Sequence, residues 1–214
     1  MDFIDPILDK YVCDHTSRES ELLHKINRET HAEVLQPRML SGHFQGRVLS
    51  MFSKMIKPNR ILEIGTYTGY SALCLAEGLT DEGIIVTIDI NEELENRVRN
   101  YFKNSELNHK INYLIGDASK LLLSIKESWD IVFIDADKLN YLNYYHLVFN
   151  SVRKGGYIIA DNVLWSGKVA ESKKQDRETI LLREFNNFIH NDARVEEVLL
   201  PVRDGLMIAR KVSE

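Results

Sequence analysis

The run Arg60-Ile-Leu-Glu-Ile-Gly65-Thr-Tyr-Thr-Gly69-Tyr-Ser71 decides how this chain is read. Its first half is an apolar strand signal broken only by Glu63, and its second half is a glycine turn that opens a helix candidate at Ser71 to Leu79. Glycine at 65 and 69 lets the backbone turn tightly and come close to a ligand, and the free amides of the next helix attract a carboxylate or phosphate. Asp89 ends the following strand candidate 24 residues after Gly65, where an acidic side chain can accept both hydroxyls of a ribose. Together the two features imply a nucleoside ligand. Taken singly they describe a plain strand-to-helix turn and a helix-start residue.

Outward from this turn, short apolar runs alternate with amphipathic stretches. The strand candidates are Arg60 to Ile64, Ile84 to Asp89, Ile111 to Ile115, Ile131 to Asp135, Tyr157 to Ala160, Val195 to Leu200 and Leu206 to Lys211. Helix candidates lie at Glu92 to Ser105, Lys120 to Ser124, Tyr141 to Val152 and Asp176 to Asn191. The first five strands read as continuous Ile/Val/Leu runs, the pattern of parallel strands covered on both faces, so a doubly wound α/β sheet is expected. Only Pro201 to Gly205 separates the last two, which should form an antiparallel edge hairpin. Residues 1–57 read as two or three short N-terminal helices with a break at Pro37, and residues 58–214 as the core of a single domain spanning 1–214.

The 214 residues are 44% hydrophobic and 28% charged with 11 Gly and 4 Pro, which excludes disordered, collagenous and low-complexity classes. No apolar run approaches the roughly 18 residues of a membrane span. The start Met1-Asp-Phe-Ile-Asp-Pro6 lacks a signal-peptide pattern, so a cytoplasmic protein without membrane association is expected. Lys and Arg number 27 against 32 Asp and Glu, a net charge of -5, which argues against a nucleic-acid partner. Cys13 and Cys74 form no zinc or redox spacing, and Cys74 sits in an apolar stretch as a buried free thiol.

The glycine spacing narrows the nucleoside. A dinucleotide fingerprint has a third close glycine, whereas here Glu63 stands ahead of a Gly-x-x-x-Gly turn and would repel a pyrophosphate. A carboxylate suits a ligand carrying an ammonium and a sulfonium. The pattern resembles the first motif of class I S-adenosylmethionine-dependent methyltransferases, and Gly116-Asp117-Ala118 resembles the segment bordering adenine in that fold.

Two further strand ends carry carboxylates. Phe133-Ile-Asp135-Ala-Asp137-Lys138 and Ala160-Asp161-Asn162 end neighbouring strands of the expected sheet, whose carboxyl ends face one crevice. Oxygen ligands without Cys or His point to Mg²⁺, with Mn²⁺ or Ca²⁺ as alternatives. The competing reading makes them helix caps, although two acidic groups in one crevice repel unless a cation lies between them.

Leu62-Glu-Ile-Gly-Thr-Tyr-Thr-Gly-Tyr-Ser71, Phe133-Ile-Asp-Ala-Asp-Lys138 and Ala160-Asp-Asn-Val-Leu-Trp165, together with Asp204-Gly205, resemble the cation-dependent O-methyltransferases, the family of catechol and caffeoyl-CoA O-methyltransferases. The likeness runs from about Gln36 to Lys211. It implies a Rossmann-like methyltransferase fold, usually a homodimer, that methylates a hydroxyl of a small catechol-like aromatic. It further implies that Asp135, Asp161 and Asn162 hold a divalent cation and that Lys138 is the base. Met39, Glu63, Gly65, Tyr67, Ser71, Asp89, Asp117 and Ala118 would line the S-adenosylmethionine site, with Asp135 also touching the cofactor.

Trp165 is a candidate to stack on an aromatic substrate, or equally a core plug. His43 reads as a structural donor, and Tyr141, Tyr144 and Tyr145 as a helix stripe packing on the sheet. Glu171 to Glu178 reads as a solvated loop and helix start that could also form a mobile wall near Trp165. A nicotinamide-dependent oxidoreductase is disfavoured by Glu63 and the missing glycine. An amino-group methyltransferase is disfavoured because Asp135-Ala-Asp-Lys138 stands where an Asn/Asp-Pro-Pro-aromatic run would. A non-enzymatic cofactor-binding regulator remains the third alternative.

Overall fold

In the computed structural model, which describes residues 5–213, the strands form where the apolar runs place them. Residues 1–4, part of the start read above as lacking a signal peptide, and residue 214 lie outside the described residues. The chain divides into two compact units, Pro6–Ala118 and residues 119–213, with Asp5 grouped with the latter.

In the first unit, helices α1 (Pro6–Asp14), α2 (Glu21–Glu33) and α3 (Gly42–Ile56) precede strand β1 (Arg60–Ile64). Then come α4 (Tyr70–Ala76), β2 (Ile84–Asp89), α5 (Glu95–Lys103) and β3 (Ile111–Ile115). Ser20 caps α2 by accepting the Leu23 N–H. The strands run parallel in the order β3-β2-β1, and their register sets Glu63 beside Thr87 and Thr87 beside Tyr113. Ile61, Leu62, Ile85 and Ile88 are buried, and so is every residue of α4, Cys74 included. Burial pushes the Cys74 thiol up to about 12, which makes it an inert core group. Glu77, just past α4, is tied to α3 by Arg47 Nη2 (2.7 Å), Lys54 Nζ (2.9 Å) and Ser50 Oγ (2.7 Å). Burial alone would raise its carboxyl, but these donors outweigh it and hold the group at about 2.

The short α6 (Ala118–Leu121) leads into the second unit, which contains β4 (Trp129–Ile134), α7 (Tyr141–Phe149), β5 (Val152–Ala160), α8 (Arg177–His190), β6 (Val195–Leu200) and β7 (Leu206–Lys211). Here the order is β4-β5-β7-β6; β4 and β5 are parallel, and β7 is antiparallel to both β5 and β6. The mostly parallel α/β class with N-terminal helices and an antiparallel C-terminal hairpin is therefore the one expected from the sequence.

Strand β5 begins five residues before the expected Tyr157, because Arg153-Lys-Gly-Gly is strand interrupted by an irregularity rather than a turn. Trp129 pairs with Val152 and Ile131 with Tyr157, so the extra residues bulge out around Gly155, whose φ is 81°. That pairing also ends α7 at Phe149 instead of Val152. Asp176 starts α8 by accepting the Thr179 N–H at 3.2 Å. No helix among the described residues is long and apolar enough to cross a membrane.

Candidate functional site

The glycine turn of the first unit is a backbone construction. Gly65, Tyr67 and Gly69 all have positive φ, at 104°, 49° and 80°. A Cβ on Gly69 would lie 2.6 Å from Phe102 Cε1, so the position needs glycine for space as well as for conformation. Asp89 holds the turn in place: its carboxylate accepts the Tyr67 N–H at 2.6 Å and the Asn91 N–H at 2.8 Å. A carboxylate has about four lone-pair sites, so the remaining ones can still receive ligand hydroxyls. The ribose-acceptor and turn-residue readings of Asp89 are thus compatible.

Glu63 is fully buried and accepts the Thr87 hydroxyl at 2.5 Å, and Thr87 in turn meets Thr66 at 2.6 Å. This hydroxyl chain follows from the β1–β2 register and has no signal in the local sequence. Ser71 and Ala118 are buried, while Met39 is largely exposed at the end of a 3₁₀ turn. Tyr67 reaches back with its hydroxyl to the carbonyls of Leu35 (3.1 Å) and Gln36 (3.3 Å), which fixes the approach to that turn. Gly116, with φ 148°, donates its N–H to the Asp89 carbonyl at 2.8 Å and so places Asp117 next to the end of β2.

The strand-end cluster of the second unit is built from side chains. Asp161 donates its N–H to the Ile134 carbonyl at 2.9 Å, which brings the ends of β4 and β5 side by side. Lys138 Nζ lies 2.8 Å from Asn162 Oδ1 and 3.3 Å from Asp135 Oδ1, and it donates to the Tyr141 hydroxyl at 2.6 Å. Asp161 is 2% exposed and turns Oδ1 onto the Asn162 N–H at 2.7 Å, holding Asn162 at φ 56°. The nearby Asp137 is used differently: it accepts from Tyr144 (2.7 Å) and Asn140 (2.6 Å) and anchors the start of α7. Asp135, Lys138, Asp161 and Asn162 are therefore brought together, and Asp137 is not one of them.

Lys138 Nζ draws together Asp135 Oδ1 and Asn162 Oδ1, and the buried Asp161 carboxylate lies against the Asn162 N–H; oxygen donors of this kind fit a hard cation. The set comprises two carboxylates and one amide. No cluster of three or more His, Cys, Asp or Glu side chains placed to hold a metal occurs among the described residues.

Trp165 follows this cluster in a strained turn. Trp165, Ser166 and Gly167 have φ of 49°, 54° and 79°. Asp204 Oδ1 accepts the Ser166 N–H at 2.5 Å, and the Asp204 and Gly205 carbonyls accept from Leu164 (2.9 Å) and Val163 (3.2 Å). Burial raises the Asp204 carboxyl above its ordinary value. A Cβ on Gly205 would sit 2.5 Å from Leu164 Cγ, so Asp204-Gly205 serves as a staple for the turn. Arg183 on α8 donates to the carbonyls of Lys168 (2.9 Å), Val169 (2.9 Å), Lys174 (2.8 Å) and Glu171. The loop is thus tied down along its length. Sequence reading missed Tyr141, Asp204 and Arg183 as organisers; only Asp204-Gly205 carried a motif. His43 meets the Ser17 carbonyl at 2.7 Å, the structural role expected of it.

Comparison with known proteins yields consistent matches. The profile of the family described as O-methyltransferase matches residues 13–212. Caffeoyl-CoA O-methyltransferase of Stellaria longipes is 34% identical over 96% of this chain and 90% of its own length. An O-methyltransferase from Bacillus cereus in complex with SAH has TM-score 0.87 and 30% identity, covering 96% of this chain and 97% of that one. TomG of Streptomyces achromogenes, an O-methyltransferase of tomaymycin synthesis in complex with SAM, has TM-score 0.88 and 25% identity over 97% of this chain and 96% of its own.

Proposed function

This chain belongs to the O-methyltransferase family, and from that premise we propose that it methylates a hydroxyl of a small catechol-like aromatic, using S-adenosylmethionine and a divalent cation. The observation that carries the reading is the placement of the Lys138 amine against Asp135 Oδ1 and Asn162 Oδ1 at the ends of β4 and β5. Solved relatives in complex with SAM and SAH support the choice of cofactor, and a caffeoyl-CoA-methylating relative supports a phenolic acceptor.

Asp89 receives the ribose hydroxyls on the lone pairs left by Tyr67 and Asn91, and Glu63 offers negative charge to the ammonium of the methionine end. Gly65, Tyr67 and Ser71 line the turn, Asp117 and Ala118 border adenine, and Met39 contributes from the 3₁₀ turn. Asp135, Asp161 and Asn162 would hold Mg²⁺, with Mn²⁺ or Ca²⁺ as alternatives. Such a cation, when bound, supplies charge that lowers the pKa of a coordinated phenol from about 10. Lys138, disfavoured as a second positive charge beside a bound cation, would act as the neutral amine whose Nζ takes the proton of the acceptor hydroxyl, and Trp165 stacks against the aromatic ring. Holding the acceptor oxygen in line with the methyl group provides most of the acceleration.

A homodimer in the cytoplasm, without nucleic-acid or membrane partners, completes the reading. Exposed Ile7, Leu8 and Tyr11 on α1 and Met51 and Met55 on α3 offer apolar surface that a second copy would cover. The test is S-adenosylhomocysteine production from catechol, caffeate, caffeoyl-CoA and flavonoid acceptors, with Mg²⁺ and after EDTA. Turnover that requires the cation is expected. Full turnover by stripped protein would remove the cation, and no turnover with any phenol would overturn the acceptor class.

A further inference from the structure

Tyr141 reads in the sequence as one member of an apolar helix stripe, yet its hydroxyl lies where β4, β5 and Lys138 meet. The side chain is 1% exposed, and a phenol hydroxyl has a single O–H to donate. That proton faces the Asp161 carbonyl at 3.0 Å, with the Ile134 carbonyl farther off at 3.3 Å. Both are main-chain groups at the strand ends. With its proton committed there, the phenol oxygen has only lone pairs to turn toward Lys138, whose Nζ is 2.6 Å away.

The contact is the shortest that Lys138 makes; Asn162 Oδ1 is 2.8 Å away and Asp135 Oδ1 3.3 Å. Those other two acceptors are the oxygens assigned above to the cation. They would be engaged by a bound cation, whereas the phenol oxygen would remain available to accept from Lys138. A lysine amine on a four-carbon stem has no fixed direction of its own and takes one from its acceptors.

We propose that Tyr141 is a positioning residue for methyl transfer: its hydroxyl, clamped by the Asp161 and Ile134 carbonyls, takes one N–H of Lys138 and so aims the amine at the acceptor hydroxyl. This rests on Lys138 being the base. The hydroxyl touches no reacting atom and acts only through the lysine.

A double-mutant cycle isolates that dependence. Turnover number and KM for a catechol acceptor are measured for Tyr141→Phe, Lys138→Ala and the double variant, with cofactor affinity from calorimetry and melting temperature alongside. Tyr141→Phe should lower the turnover number about tenfold, the usual worth of a hydrogen bond to a charged or polarised group, with KM and cofactor affinity within twofold. In the Lys138→Ala background the same change should cost less than twofold. Tyr144→Phe serves as the control, because its hydroxyl meets Asp137 in the same helix and does not touch Lys138.

A tenfold loss that persists without Lys138, an equal loss in Tyr144→Phe, no loss at all, or a Tyr141→Phe chain that no longer folds would each overturn the positioning role and leave Lys138 as base untouched. A Lys138→Ala cost below threefold would overturn the base assignment and the positioning role together.

Discussion

The turn around Gly65 to Gly69 and the cluster around Lys138 perform comparable tasks by opposite means. The turn is made of main chain: three consecutive odd-numbered residues at positive φ, with one carboxylate, Asp89, gripping the amides of Tyr67 and Asn91. The cluster is made of side chains brought in from the ends of two strands, one helix start and a hairpin turn. Lys138, Tyr141 and Asn162 meet across 24 residues, and Asp204 closes on Ser166 across 38. A backbone-built site resists single substitutions except at its glycines and its grip. A side-chain-built site should fail sharply at its central group and by degrees at each supporting one.

The largest effect expected on that view belongs to Lys138. Lys138→Ala should reduce the turnover number by about 10² to 10⁴, the range of general-base catalysis, while cofactor affinity by calorimetry stays within twofold. A loss under threefold at every pH would make the cluster as tolerant as the turn and erase the contrast.

Asp89 tests the other side. Asp89→Ala should weaken S-adenosylmethionine by about 1.5–3 kcal/mol, the cost of hydrogen bonds to a charged acceptor. Because the same carboxylate accepts two main-chain N–H groups, denaturant melts should also show a loss of about 1–3 kcal/mol in stability. Binding loss without any stability loss would show that the grip on the turn contributes nothing.

How far each site can be read from the sequence follows from the same contrast. The turn was legible because its requirements are local: glycine where φ is positive, a carboxylate at the end of the next strand. All seven strands were legible from apolar runs, but β4 starts two residues before the expected Ile131 and ends at Ile134, and the bulged start of β5 was missed, since Gly155-Gly156 looks like a turn when its partner Trp129 is out of view. Asp135, Asp161 and Asn162 could be proposed because strand ends are marked in the sequence, whereas Lys138 as base rested on the family resemblance. Tyr141 could not, since its aromatic ring satisfies the core pattern and its hydroxyl acts across the fold. Arg183 was hidden for a related reason: it bonds to carbonyls, which carry no residue identity.

Acid should loosen both units alike, and by less. Glu77 in the first unit, despite the opposing effect of burial, is held at about 2 by Arg47, Lys54 and Ser50, and Asp192 in the second is held at about 2 by Arg194. Both are lowered on folding, so the stability they contribute is complete above the ordinary carboxylate range and is lost as pH falls toward about 2. About 1–3 kcal/mol for each is expected from roughly 1.4 kcal/mol per pH unit, reduced by partial exposure. Asp204, raised by burial, works in the opposite sense and opposes this loss in the acid range. Acid melts of Glu77→Gln and Asp192→Asn should each show a flatter acid limb than the parent; unchanged limbs would place the acid response elsewhere.

Arg183 provides the finest test, because it acts on main chain from within the side-chain-built half. Its guanidinium meets four carbonyls between Lys168 and Lys174, the segment that follows Trp165. A planar fork with five donors can serve carbonyls that diverge in direction, whereas a lysine places three donors around one point. Arg183→Lys keeps the charge and most of the stem, so it removes the fork and little else. Hydrogen bonds of this kind contribute about 1 kcal/mol each, and partial replacement by water and the ammonium reduces the net loss. The expected result is a rise of about threefold to tenfold in KM for the aromatic acceptor, with turnover number and cofactor affinity within twofold. Limited proteolysis should cut between Lys168 and Lys174 faster than in the parent, since release of those carbonyls frees the backbone for a protease. If cleavage quickens while KM stays fixed, the loop is held by Arg183 but does not face the acceptor. If neither changes, the Asp204 staple alone suffices to keep the turn at Trp165 in place.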